Sequence, residues 1–274
     1  MTIHHTPTRS PASYLFGPPA PHSPVSEPFA QRAEAAFRGK ILAPDFPCVA
    51  AKASVNTEMY RLHAYRELGT LDSTLALARD LRAFQAAQPD MDSDFTSFVS
   101  VFELPGEVDE LTFERLLWEQ LHALSLLDDQ PYSTEVSSDT TSPDFGYSFG
   151  GQAFFIVGLH PGASRIARRF PYAIVVFNSH HQFRALKADG RWTRFQETIR
   201  ARDIKLQGSI NPNLADHGTA PEARQYSGRA VEPGWQAPFG HCPFGFGAAP
   251  QAAGQDQQGG GHPGPQSKRQ EENT

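Results

Sequence analysis

Cysteine is scarce in this chain: Cys48 and Cys242 are the two thiols in 274 residues, too few for a disulfide scaffold. No apolar run approaches the roughly 20 residues that cross a bilayer, and no basic segment followed by an apolar stretch opens the sequence. The expectation is a soluble, cytoplasmic protein. Also missing are a phosphate-binding Walker loop, a G-x-G-x-x-G turn after a strand, H-E-x-x-H and G-x-S-x-G. The usual signatures of nucleotide, zinc and serine-hydrolase chemistry are therefore absent, and no internal repeat is visible. A net charge of −6 lacks the basic excess that bulk nucleic-acid binding demands.

What the chain does have is apolar mass: 39% hydrophobic residues, with 20 phenylalanines, enough for a substantial core. Residues 1–27 are rich in Pro, Ser and His without periodicity and are expected to be disordered, as is the Gly/Gln-rich tail 247–274. Between them, 28–246 is expected to form one α+β domain, a mixed or antiparallel sheet flanked by helices. Apolar spacing predicts helices over Pro28–Gly39 and Thr74–Ala87, and an Asp109-capped helix running to Leu127 with His122 as a structural residue. Phe95–Glu103 reads as a strand, and Phe46–Asn56 as the start of another, in which Cys48 is buried and structural. Thr134–Tyr147 reads as a polar loop.

The chain centres on Phe149–Trp235. Two short apolar runs, Ala153–Leu159 and Tyr172–Asn178, read as strands of a hairpin. The Pro- and Gly-bounded loop between them carries Arg165, Arg168 and Arg169. The hairpin places His160 with these arginines at one end of the sheet and His180 at the other. A helix starting near Asn178 should end at Gly190, and Thr193–Gln196 fits a capping box opening a helix to about Asp203. Residues 209–229 form a turn-rich stretch of the kind that carries binding groups. Residues 151–235 hold six more basic than acidic residues, which suggests an anionic ligand.

In order, GLHPGASRIARRF, FNSHHQF, IKLQGSINPNLADHG and EARQYSGR, with the Phe46-Pro47-Cys48 element before them, resemble the conserved body of the YqcI/YcgG family. One departure is plain: the family's W-x-C-P-F element is here Trp235-Gln236-Ala237-Pro238-Phe239, and Cys242-Pro243-Phe244 follows. Relatives in that family include heme-dependent N-hydroxylases that act on arginine or related guanidino amino acids in natural-product pathways such as those for cycloserine and guanitoxin. The resemblance implies a monooxygenase using heme b iron and molecular oxygen, with an external electron donor or reductase and a small amino-acid substrate. Nucleic acid and membrane are not expected partners, and a homodimer is left open. His160, at a strand end beside three guanidinium groups, is expected to ligate iron, with Arg165, Arg168 and Arg169 facing the propionates. His180 is a second cofactor-binding candidate, and Cys48 remains an alternative axial ligand. Asp216 and Glu222 are expected to hold a guanidinium, Arg224 or Arg229 a carboxylate, and Asn211 to line the substrate site. Tyr226 and Ser227 are candidates to donate hydrogen bonds to bound oxygen. The competing readings are a non-catalytic heme sensor or carrier and a metal-free small-molecule binder.

Overall fold

The computed structural model describes residues 25–239 except Asp94, Asp189 and 214–219. The terminal expectations for most of 1–27 and for 240–274, and that for Cys242, lie outside the described residues.

Five strands form one mixed sheet: β1 (Tyr60–Glu67), β2 (Ser97–Leu104), β3 (Tyr147–Phe149), β4 (Gln152–Leu159) and β5 (Ala173–Ser179). Their order across the sheet is β1-β2-β5-β4-β3, with β1 and β2 parallel and the remaining pairs antiparallel. The expected hairpin is present, with Ile156 opposite Phe177 and Leu159 opposite Ile174. Parallel pairing of β1 and β2 needs a crossover, which the helix Leu71–Ala87 supplies.

Helices cover both faces: α1 (Glu27–Leu42), α2 (Val49–Asn56), α3 (Leu71–Ala87), α4 (Glu110–Leu126), α5 (His180–Ala188) and α6 (Trp192–Gln207). Side chains of a strand alternate between faces, and the two cores divide accordingly. Phe98, Phe102, Phe154, Ile156, Val175 and Phe177 pack with Leu77 and Leu81 of α3 and Phe113, Leu117 and Leu121 of α4. On the other face Val99, Val101, Leu159, Ile174 and Val176 pack against Phe29, Ala33, Phe37 and Ile41 of α1. Asp109 caps α4 as its sequence requires, accepting Thr112 N–H at 2.7 Å.

Three local expectations change. Phe46–Asn56 is not a strand: Val49–Asn56 is helical, with Cys48 at the N-cap and its sulfur accepting Ala51 N–H at 3.5 Å. Its Ala-rich sequence, AAKAS, favours helix over sheet. The Thr193 capping box is not used, because α6 already begins at Trp192 and no side chain caps it. The strand β1 is absent from the sequence reading; its exposed and buried residues alternate imperfectly, and charged Arg61, Arg66 and Glu67 dilute its apolar signal.

Candidate functional site

A cavity of about 820 Å³ opens on the α1 face of the sheet. Its floor is Val157 and Leu159 of β4 with Val176 and Asn178 of β5. Phe37 and Ile41 of α1, Cys48 and Ala51 at the start of α2, Phe183 of α5 and Phe195 of α6 wall it. The polar loop foreseen at 134–147 supplies the remaining side through Glu135, Val136 and Phe145. Both motif-bearing segments reach it, since Arg165, Arg168, Asn211, Glu222 and Gln225 line it as well.

Four polar groups give the cavity its chemistry. The Cys48 sulfur sits at the N-terminus of α2, where backbone N–H groups favour a thiolate. Burial pushes its thiol up, opposed by those N–H groups and by Arg168. The His180 Nε2 lies 3.0 Å from Glu222 Oε1, and the Tyr226 hydroxyl donates to the same oxygen at 2.5 Å. Arg165 forms a buried ion pair with Asp203 at 2.5 Å and also donates to Ser209 O at 2.8 Å. Arg168 donates to Gly158 O at 3.0 Å and Gln225 O at 3.1 Å. It makes no ion pair with a carboxylate among the described residues, and burial pushes its guanidinium down to about 10. Arg168 is therefore the cation left with charge to spare for a ligand anion.

His160 is not in this cavity. Leu159 points into it, so the next residue points through to the opposite face. There the His160 ring is fully buried and stacks on Phe113, with centroids 4.3 Å apart. Its Nδ1 lies 3.4 Å from Val108 O, and burial lowers its pKa. The Nε2 atom is buried without a partner among the described residues, and His160 does not line the cavity. His160 thus lies at the expected end of the sheet, paired with Arg169, but on the face away from the cavity.

Several other candidates are used structurally. Arg169 donates to Ala163 O at 3.0 Å and does not line the cavity. Arg224 donates to Glu232 O at 2.9 Å. Ser227 and Arg229 both bond Glu114, a buried carboxylate of α4, at 2.9 Å, and Trp235 Nε1 donates to it at 3.1 Å. Tyr226 is fully buried and stacks on Trp118; it does not line the cavity but packs behind Glu222, Phe145 and Phe155, which do. Asn211 lines the cavity, but its Oδ1 accepts Asn213 N–H at 3.0 Å in a local Asx turn. Asp216 lies outside the described residues. Expected residues that do meet in the cavity are Arg165, Arg168, His180, Asn211 and Glu222.

Two contributors to the lining carry weak sequence signals. Cys48, expected to be buried within a strand, is instead partly exposed at a helix start. Asp203, the acid that holds Arg165, is the one buried residue of α6, and a lone polar residue on a helix carries no periodic signal.

Comparison with known proteins agrees with this core. The chain is 25% identical to the uncharacterized protein YcgG of Bacillus subtilis (strain 168) over 213 residues, 74% of this chain and 82% of that one. It is 24% identical to the uncharacterized protein YqcI of the same organism over 210 residues, 73% of this chain and 80% of that one. No solved structure matches. The YqcI/YcgG family model spans residues 37–240, from the cavity-lining Phe37 past the Glu114-bound Trp235. The chain therefore belongs to the YqcI/YcgG family.

Proposed function

We propose that the protein is a heme-dependent monooxygenase that N-hydroxylates a guanidino or other cationic amino acid, and that the cavity on the α1 face is its site. The observation that carries the proposal is the composition of that cavity. Apolar walls surround about 820 Å³, and a thiol, an imidazole, unpaired guanidinium charge and a carboxylate converge there. Heme requires an apolar slot, a rigid axial donor and cations for its propionates. The residues present fit that requirement.

Cys48 would hold the iron, because it lines the cavity at a fixed helix start and its sulfur already accepts a backbone N–H. His180 is the other donor residue of the wall, but its Nε2 is engaged by Glu222. Arg168, with Arg165 beside it, would face the propionates. Glu222 would meet the substrate's cationic end. Heme bound there would supply oxygen activation, with electrons delivered by an external reductase, in a cytoplasmic setting. No helix among the described residues is long and apolar enough to cross a membrane.

The test is hemin titration of the purified protein followed by oxygen-dependent turnover of L-arginine with a reductant. A Soret band plus hydroxylated product supports the proposal. A Soret band without turnover leaves the sensor or carrier reading, and no Soret band removes heme from the account.

A further inference from the structure

The His180–Glu222 pair carries a chemistry that neither the axial donor nor the arginines supply. A carboxylate holds no proton to share, so the close Nε2 atom of His180 carries the hydrogen and donates it to Glu222 at 3.0 Å. The lone pair is then on Nδ1, for which no described residue serves as partner. Tyr226 fixes the acceptor: its hydroxyl donates to the same Glu222 oxygen at 2.5 Å while accepting Tyr147 N–H at 3.1 Å. The imidazole is seated against a glycine. A Cβ at Gly146 would stand 3.0 Å from His180 Cε1 and 2.7 Å from Val136 Cγ1, so only glycine leaves the ring its place. Both His180 and Glu222 line the cavity.

We propose that His180 is the general base of this cavity, with Glu222 stabilising its protonated ring and Tyr226 as a positioning residue. The inference rests on the reading above, in which a nitrogen is oxygenated. The nitrogen of a guanidinium or ammonium cation has no available lone pair to accept an oxygen atom. In the proposed step a substrate N–H bond breaks, its proton passes to Nδ1 of His180, and its electron pair stays on the nitrogen. One proton moves and no oxidant is consumed in that step. The imidazolium so formed lies against a carboxylate in a largely buried site, where the charge pair is worth more than in water. A merely structural ion pair pinning α5 to the turn at Glu222 would not need a cavity-lining ring whose other nitrogen has no partner among the described residues.

Two measurements decide it. In ¹⁵N-histidine-labelled, ligand-free, full-length protein, with His180 assigned through His180→Gln, the neutral ring should show a protonated Nε2 and an unprotonated Nδ1. Tyr226→Phe should mix the two tautomers. A protonated Nδ1 in the wild type overturns the proposal whatever the reaction. In L-arginine turnover, His180→Gln should lower kcat by about 10²- to 10⁴-fold with hemin still bound and KM little changed; Glu222→Gln should lower kcat and also raise KM, and Glu222→Asp should recover part of the loss. Unchanged kcat in His180→Gln also overturns it. No turnover by hemin-loaded wild type refutes the oxygenation reading instead, and the tautomer measurement still decides whether the cavity holds a base.

Discussion

Replacing Glu114 with alanine should loosen the whole segment that carries Glu222 to the cavity. Glu114 is 7% exposed and accepts four hydrogen bonds. These come from Ser227 Oγ at 2.9 Å, Arg229 Nε at 3.1 Å, Arg229 Nη2 at 2.9 Å and Trp235 Nε1 at 3.1 Å. Without it, Arg229 keeps the carbonyl of Ala230 and Glu232, whose side chain is 69% exposed and screened by water. Removing one partner of a buried ion pair costs about 3–5 kcal/mol, because the other charge stays buried. The losses at Ser227 and Trp235, about 0.5–1.5 kcal/mol each, share the same carboxylate and will not simply add. A total near 4 kcal/mol, about half the stability of many domains, is expected in urea denaturation. Glu114→Ala with Arg229→Ala should cost clearly less than the sum of the single changes, since the orphaned charge is gone. A single-variant loss under about 1 kcal/mol, or strict additivity in the pair, would refute the claim that this carboxylate anchors the segment.

Two further outcomes follow from the packing and the charges. Gly158→Ala should lower stability by about 1–3 kcal/mol in thermal melts, since its Cβ would sit 2.6 Å from Phe113 Cε1 and 2.9 Å from Tyr226 O; an unchanged melting temperature would show that α4 gives way freely. Asp80 is subject to burial that would raise its pKa, but hydrogen bonds from Arg79, His63 and Tyr65 outweigh it and hold the carboxyl below its ordinary value. Its contribution is thus complete above the unfolded value near about pH 4 and lost as pH falls through the lower folded one. The stability gap between wild type and Asp80→Asn should therefore shrink between about pH 5 and about pH 3, and a constant gap would contradict the assignment.

The strands and helices with strong apolar spacing were legible in the sequence. The β4–β5 hairpin, α1, α3 and α4 follow directly from runs such as Ala153–Leu159 and the stripe Phe113, Leu117, Leu121 and Leu124. What sequence could not settle was facing. Whether His160 or Leu159 enters the cavity depends on which side of the sheet α1 and α4 cover, and that is decided by packing far away in the chain. The same limit applies to Arg229 and Ser227, which look like ligand groups in a turn-rich motif until Glu114, more than 100 residues earlier, claims them. Arg168 and Glu222 are legible as charged groups near the site, but only the fold distinguishes Arg168, without a carboxylate partner among the described residues, from Arg165, whose charge Asp203 occupies, and shows that Glu222 faces His180. The stretch around Cys48 is misread as a strand for a local reason, a short Ala-rich helix without a polar stripe.

The central claim is that the cavity on the α1 face, with Cys48 at its wall, is where heme is held, and that His160 on the far face is not. The most direct measurement is the hemin absorption spectrum of wild type, Cys48→Ser and His160→Ala, each first shown to be folded by circular dichroism. Wild type and His160→Ala should share one Soret band, and Cys48→Ser should lose it or shift it to that of a different axial ligand. A folded His160→Ala protein without the band, beside a Cys48→Ser protein with an unaltered one, would contradict the account.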